Sequence, residues 1–591
     1  MKKFIKYKNS IKNLDNLPSY PIPALKDTLN RYIEWVEPLV SAEELEEAKI
    51  SVESFLNTEH SVKMEEKIQE LGNRPEDSWI YDYWVKCHLE VRAPLTPHTN
   101  VPIIYENKKV SEYEILERIA ILMHSTAAIY RDFKENGAGA YPIKNKLYSS
   151  DQFHGVLGSI NHIKEGIDEY YINHEESKNM IFNYKNHHYS IRVIENNGVV
   201  SANEILKTLK KIVAETRYPA VPNVNYVTIG VDRNRAGAVF SEILEVEENE
   251  RAYQKIKDAI MVMNYDDVDS NTVYEELDNA SYDRGCVNRW HGKGLQFSCS
   301  KNGVLSFIVD HSFCDGGTEV YLINRLKKYI ESEDFLFEET EKNIFVEKLE
   351  FNLSEDIKKS LLEFKTGYDE CMDSFKTKYV DFEGLSRQGL REKGVLSGDG
   401  FIHLAFQAAQ YMTYGHINNT YISVDARKYF RGRTEANRPT TKESVNFVQE
   451  FLENKKSKEE ICQSMHEALN AHHRRVKLCQ SGQGVNRYLY VLESIFKDFG
   501  EEMGILEEPS LFTTKAYKAI GNNHLSTTSF GHPDMKYLYF PPVVDHGFGI
   551  FYMVDTESFM IITAYNEDAE TMDEMIKNLD YCIKGMLELI G

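Results

Sequence analysis

Apolar residues fall at helical spacing early in the chain. After Pro21-Ile22-Pro23, the run ALKDTLNRYIEWVEPLV places Leu25, Leu29, Tyr32, Ile33 and Val36 on one face. SAEELEEAKISVESFL follows with Ser41 as an N-cap and Glu44 three residues on, the pattern of a capping box. The first ~90 residues therefore read as helices, and residues 113–133 give another amphipathic helix. At 294–309 the pattern changes. GLQFSCS and GVLSFIVD flank Lys301-Asn302-Gly303, and Asn-Gly predicts a two-residue hairpin turn. A second hairpin is expected where FGIFYMV and SFMIITAY flank Asp555-Thr556-Glu557, with a helix over about 567–590 after it. Hairpins and helices without a regular strand–helix–strand rhythm predict an α/β fold of layered helices and mixed sheets. The acidic, lysine-containing stretch 331–345 is a candidate crossover between halves, or equally a solvated loop.

Length adds that 591 residues exceed one ordinary core: up to four units, or two large domains. The 42% hydrophobic and 27% charged residues are those of a globular chain. A formal net charge of −23 makes nucleic acid and anionic membrane unsuitable partners, whereas a cationic substrate is attracted. An anionic substrate needs a local basic patch. Eight scattered cysteines without a C-x-x-C pair match no zinc motif and predict reduced thiols in a cytoplasmic protein. The start MKKFIKYKNS leads into polar residues rather than an apolar signal core, and no stretch approaches the ~20 apolar residues of a membrane span.

The chemistry shows after the 294–309 hairpin, at His311-Ser312-Phe313-Cys314-Asp315-Gly316-Gly317. A histidine at a buried strand end, followed by a glycine turn, is held where it reaches a ligand in a cleft. Near neutral pKa it takes a proton from an attacking alcohol or thiol. Asp315 would hold the turn or bias the imidazole's charge. The short pattern alone is as consistent with a structural histidine, and it is shared by several CoA-dependent acyltransferases and by condensation domains.

Further segments extend the pattern along the chain. TYISVDARKYFRGRTEANR (420–438) resembles the carnitine/choline acyltransferase segment Y-E-S-A-S-x-R-x-F-x-x-G-R-T-D/E-x-x-R, and NHLSTTSFG (523–531) resembles that family's L-S-T-S. FPPVVDHGFGIFY (540–552), VNRWHGKGLQF (287–297), the Trp84…Arg92-Ala93-Pro94 run and the opening PIPALKDTLNRYIEWVEPLV also resemble family segments, in order, over about residues 17–590. The resemblance implies two chloramphenicol-acetyltransferase-like domains with an active-site tunnel at their interface. One would span about 92–350; the other would combine the N-terminal helices (1–91) with 351–591.

It also implies roles residue by residue. His311 would deprotonate the acceptor hydroxyl, without an acyl-enzyme. The family's S-T-S hydroxyls stabilise the oxyanion, and here Ser526 and Thr528 match, with threonine as a departure. In carnitine enzymes a tyrosine, a threonine and an arginine hold the acceptor's carboxylate; Tyr421, Thr434 and, from GQGVNRYLYVL (482–492), Arg487 match them. Ser423 keeps register beside them, and Phe540 matches the surface for the quaternary ammonium. Ile422, Asp425, Asn486 and Tyr488 depart from the family, and Asp425 either faces the pocket, favouring a plain cation, or pairs with Arg427 or Arg433. For CoA, LSRQGLREKGVLSGDGF (385–401) offers Arg387 and Arg391 four apart, with Lys393 and Asp399, after a one-residue shift of register. The family's acyl-length position falls on Leu538, whose bulk implies short acyl groups.

The expectation is a short-chain carnitine O-acyltransferase using acyl-CoA as co-substrate, with no permanently bound cofactor and, by family default, a monomer. Choline or another amino alcohol is the alternative acceptor, and a non-catalytic acyl-CoA-binding or sensing protein the alternative of another class. No metal site is expected: His466-Glu467 with His472-His473 misses H-E-x-x-H, His187-His188 reads as surface loop, and Asn136-Gly137-Ala138-Gly139 lacks a dinucleotide-binding context.

Overall fold

Helix α1 (Leu25–Val36) buries Leu25, Leu29, Tyr32, Trp35 and Val36, the face its spacing predicts. Helix α2 (Ala42–Leu56) starts at the expected capping box, with reciprocal bonds between Ser41 and Glu44. The computed structural model describes residues 17–591 apart from 74–77, 137–140, 144–145, 150 and 197. The basic start (1–10) and the glycines of the 136–139 stretch lie outside the described residues. After a further helix at Glu59–Gly72 come helix α3 (Tyr81–Leu89) and the long helix α4 (Ile115–Asn136).

Two mixed sheets organise the rest. In chain order the strands are β1 (Pro102–Tyr105), β2 (Asn179–Tyr184), β3 (His187–Arg192), β4 (Val262–Tyr265), β5 (Leu295–Cys299), β6 (Leu305–Val309) and β7 (Val346–Leu349). They continue with β8 (Phe375–Asp381), β9 (Thr420–Asp425), β10 (Thr434–Asn437), β11 (Leu525–Thr528), β12 (Met535–Leu538), β13 (Phe548–Val554) and β14 (Ser558–Tyr565). The first sheet has eight strands in the order β7-β3-β2-β4-β5-β6-β1-β12, and the second six in the order β8-β14-β13-β11-β9-β10. Strands β5 and β6 are buried along their whole length, as expected of a central sheet covered by helices, and this is why they read as continuous apolar runs.

Both hairpins form. Val554 pairs with Ser558 across the expected three-residue loop. The 294–309 hairpin differs from expectation: Ser300 N–H donates to the Val304 carbonyl at 2.9 Å, enclosing three loop residues, Lys301–Gly303. Gly303 (φ 86°) takes the left-handed position that ends such a loop, so Asn-Gly supplies its second and third residues rather than a two-residue turn. The stretch 331–345 ends helix α5 (Gly316–Ser332) and leads to β7, the edge strand of the first sheet. His187 and His188 are in strand β3, not a surface loop; His188 is buried and bonded through Nδ1 to Asn183 Oδ1 at 2.7 Å.

Three large apolar clusters sit around this frame: one on the first sheet, one on the second with the C-terminal helix α6 (Ala569–Leu589), and one joining α1 and α2 to the helix at Asn486–Met503. A fourth, smaller one packs Tyr81, Val85 and Leu89 of α3 with Phe313. Strand β12 comes from late in the sequence yet pairs with β1 in the first sheet, Leu538 opposite Ile103. Asp534, just before it, accepts from Asn107 Nδ2 at 2.7 Å and pairs with Lys327 Nζ of α5 at 2.6 Å. The chain thus passes from β11 of the second sheet to β12 of the first, which brings Leu538 to the site.

Candidate active site

Strand β6 ends at Val309, and a short turn carries His311 out of the sheet before α5 begins at Gly316. Asp310 Oδ1 accepts from Ser312 N–H at 3.1 Å, which shapes the turn. His311 Nδ1 lies 2.5 Å from the Cys314 carbonyl oxygen. A carbonyl only accepts, so Nδ1 carries the proton and Nε2 keeps a lone pair. Burial lowers the imidazole's pKa from its ordinary 6.5, with Asp315 opposing and Arg433 adding to the shift. The ring is therefore neutral at neutral pH.

Asp315 does not bond to this ring. Its carboxylate accepts from Arg433 Nε at 2.6 Å, Arg433 Nη2 at 3.2 Å and Gln152 Nε2 at 2.8 Å. Burial alone would push the carboxyl up, but Arg433 and His311 outweigh it and hold it well below the usual carboxylate range. Arg433 also donates to the His311 and Ser312 carbonyls, each at 3.0 Å. The aspartate thus grips the arginine, and the arginine grips the histidine turn. Gly317 lets a second arginine approach: a Cβ there would lie 1.9 Å from Arg427 Nη2.

A cavity of about 380 Å³ opens on His311 and Asp315. Tyr421, Ser423, Thr434, Ser526, Thr528, Leu538 and Phe540 all line it. Sequence positions about a hundred residues apart are brought together because β9 and β11 run parallel, Tyr421 beside Ser526. Thr527 between them also lines the cavity, but its hydroxyl is spent on the Tyr421 carbonyl, to which it donates at 2.7 Å. The hydroxyls of Ser526 and Thr528 make no hydrogen bond among the described residues. Leu538, Ile103, Val101, Val309 and Val320 give the cavity an apolar wall.

Arg487 stands beside Tyr421 and Thr434. Its Nη2 lies 3.3 Å from Tyr421 Oη and 3.5 Å from Thr434 Oγ1, and its Nε donates to the Thr434 carbonyl at 3.1 Å. Its guanidinium stacks 3.6 Å from the centre of the Trp84 ring, a cation–π contact that fixes its plane. Asp425 lines the cavity and is also bidentate to Arg427, through Nε at 2.9 Å and Nη2 at 2.7 Å, so the two arrangements expected as alternatives occur together.

Arg387, Arg391, Lys393 and Asp399 lie elsewhere, on the helix Arg387–Glu392, at its C-cap and at the start of the helix Gly398–Tyr414. Arg387 Nε donates to the Val554 carbonyl at 3.2 Å, Lys393 Nζ to the Leu587 carbonyl at 3.3 Å, and Arg391 is exposed. Asp399 accepts from His472 Nε2 at 2.7 Å and from Tyr552. None of the four lines the His311 cavity. His466, Glu467 and His473 are exposed and apart from it.

Four contributors escaped the sequence reading. Trp84 supports Arg487, and His88 packs edge-on against His311 with centroids 5.3 Å apart. Burial lowers the His88 pKa to about 3, so it stays neutral. Gln152 and Glu319 complete the surroundings of α5's first turn. The Trp84…Arg92-Ala93-Pro94 segment was visible; no periodicity or spacing indicates what its rings touch.

The sequence model of the Choline/Carnitine o-acyltransferase family matches residues 20–581. A Mycoplasma pneumoniae protein named "Putative acetyltransferase" is 27% identical over 98% of this chain and 95% of its own. Carnitine O-palmitoyltransferase 2 of Bos taurus is 26% identical over 91% of this chain and 87% of its own. Carnitine O-acetyltransferase of Columba livia is 24% identical over 97% and 92%. With nearly the whole length matched and the segments at 420–438, 523–531 and 540–552 lining one cavity with His311, the chain belongs to the choline/carnitine O-acyltransferase family and is an acyl-CoA-dependent O-acyltransferase.

Proposed function

We propose that this protein reversibly transfers a short acyl group between CoA and the hydroxyl of carnitine. The observation that carries the acceptor is the convergence of Arg487, Tyr421 and Thr434 beside the His311 cavity. A guanidinium with two neighbouring hydroxyls matches a carboxylate, and stacking on Trp84 holds it ready. Phe540 offers the quaternary ammonium an aromatic surface, and Ser423 lines the same cavity. Choline would leave Arg487 unmatched. Asp425, the residue that would favour a plain cation, is occupied by Arg427.

In this reading His311 Nε2 takes the acceptor's hydroxyl proton as the oxygen attacks the thioester carbonyl. The tetrahedral oxyanion is met by the Ser526 and Thr528 hydroxyls. Collapse breaks the carbon–sulfur bond, and the departing CoA thiolate takes the proton back from Nε2. No protein atom is acylated. The Cys314 carbonyl favours the imidazolium without moving a proton itself, and Arg433 keeps that carbonyl's turn in place. Arg387, Arg391 and Lys393 supply positive charge for CoA phosphates, with Asp399 and its partner His472 bracing the adjoining helix. The working form is a monomer in the cytoplasm.

The acceptor is tested by thiol release from acetyl-CoA with carnitine, choline or no acceptor. Wild type is expected to turn over with carnitine. Arg487→Ala is expected to lower kcat/KM for carnitine about 10²-fold or more, since it removes one side of a buried charged pair. Choline supporting faster release than carnitine would overturn the assignment. Acyl length is tested at Leu538: Leu538→Gly is expected to shift the best substrate from acetyl- or butyryl-CoA towards octanoyl-CoA, read as a reversed kcat/KM ratio. The pH profile follows from His311. Its neutral form is the base, so activity falls as pH drops through its pKa; burial lowers that value, placing the acid midpoint of kcat/KM below 6.5.

A further inference from the structure

Glu319 stands in the first turn of α5 and, with its neighbour Val320, lines the His311 cavity. It is only 8% exposed, and its carboxyl makes no hydrogen bond or ion pair among the described residues. The two charges that act on it are already engaged. Arg427 binds both oxygens of Asp425 and donates from Nη1 to Thr318 Oγ1 at 3.2 Å, while Asp315 is held by Arg433 and Gln152. Burial pushes the Glu319 carboxyl up to about 8, with Asp315 adding to the shift and Arg427 opposing it. A buried carboxyl without a partner costs free energy, and it is tolerated where a ligand supplies the missing bond.

Its position indicates which part of the ligand. Glu319 shares the cavity with Val101, Ile103 and Leu538, the apolar wall, and sits one helical turn from Asp315, a rise of about 6 Å. Helical side chains lean toward the helix N-terminus, which brings the carboxyl back towards His311. A carboxyl that shares one cavity with this apolar wall and with His311 is placed to read the substituent on a short acyl chain.

We propose that Glu319 selects short acyl groups bearing a hydrogen-bond donor, a hydroxyl or an amine, on the carbon two beyond the thioester carbonyl. This rests on the reading above that Leu538 bounds the acyl pocket. The carboxyl accepts from the substituent, and the apolar residues around it exclude the water that would otherwise compete.

The test measures dissociation constants by calorimetry without any acceptor, on the full chain, for butyryl-CoA, both enantiomers of 3-hydroxybutyryl-CoA, β-alanyl-CoA and free CoA. Wild type is expected to bind one hydroxyacyl enantiomer or β-alanyl-CoA at least tenfold more tightly than butyryl-CoA. The two arms separate hydroxyl from amine. Glu319→Met should abolish that preference while leaving free CoA unchanged, and Glu319→Gln should keep part of a hydroxyl preference but lose one for an amine. Equal affinities in wild type would overturn the proposal, as would a Glu319→Met variant weakened by one common factor for every ligand including free CoA, which would place the carboxyl on the CoA arm. If Glu319→Met does not fold, wild type and Glu319→Gln decide. Because no acceptor is present, a wrong assignment of carnitine leaves this measurement intact; preserved discrimination without carnitine-dependent thiol release would count against the acceptor alone.

Discussion

Replacing His311 by alanine is expected to lower kcat by about 10³–10⁴-fold while the dissociation constant for CoA stays within twofold. The chemical argument is that Nδ1 is occupied by the Cys314 carbonyl, leaving Nε2 as the basic atom at the cavity. His88 does not substitute for it: burial lowers its pKa to about 3, and its own Nδ1 is bonded to the Trp84 carbonyl at 2.7 Å. Stopped-flow thiol release with saturating carnitine reads the effect. A His311→Ala enzyme within tenfold of wild type would move the base elsewhere.

Breaking the Asp315–Arg433 pair should have the largest effect on stability. Both side chains are buried, so Asp315→Ala leaves a guanidinium without its counter-charge, at a cost of about 3–5 kcal/mol. Arg433→Met strands the carboxylate and costs a similar amount. The double variant Asp315→Leu/Arg433→Met, which removes both charges, should recover much of the lost stability. Activity should not return with it, because the His311 and Ser312 carbonyls have lost the donor that set their turn. Chemical denaturation read by fluorescence, beside the thiol-release assay, separates the two outcomes. The pair also shapes the acid limb of stability. The Asp315 pKa is lower folded than unfolded, so its stabilisation is fully present above the unfolded value of about 3.9 and is lost as pH falls through the folded one. Acid unfolding of the double variant should lack that component. A double variant as unstable as either single one would show that the pair is not the source of the loss.

Much of this was legible from local pattern. The face of α1, the capping box of α2, the two hairpins and the C-terminal helix follow from spacing and cap residues, because a helix face or a strand is decided by neighbours a few positions away. His311 could be singled out because a strand end and a glycine turn bracket it within seven residues. Tyr421, Thr434, Ser526, Thr528, Phe540 and Leu538 could be named by resemblance, and all of them line the cavity. The hairpin at 294–309 shows the limit even locally: Asn-Gly marked the turn, but the Ser300–Val304 pairing decided its length.

What only the tertiary structure decided are pairings across large sequence separations. Asp315 meets Arg433 rather than the His311 ring, Asp425 is taken by Arg427, Arg487 stacks on Trp84, and Glu319 is left without a partner. Each outcome depends on which strands pair, and β12 joining the first sheet is the clearest case, since nothing within its four residues specifies β1 as its neighbour. Charge and burial then divide the work. A run of sequence determines that a carboxylate or guanidinium is present, but whether it is neutralised, orphaned or free to bind a substrate depends on the few ångströms around it in the assembled core.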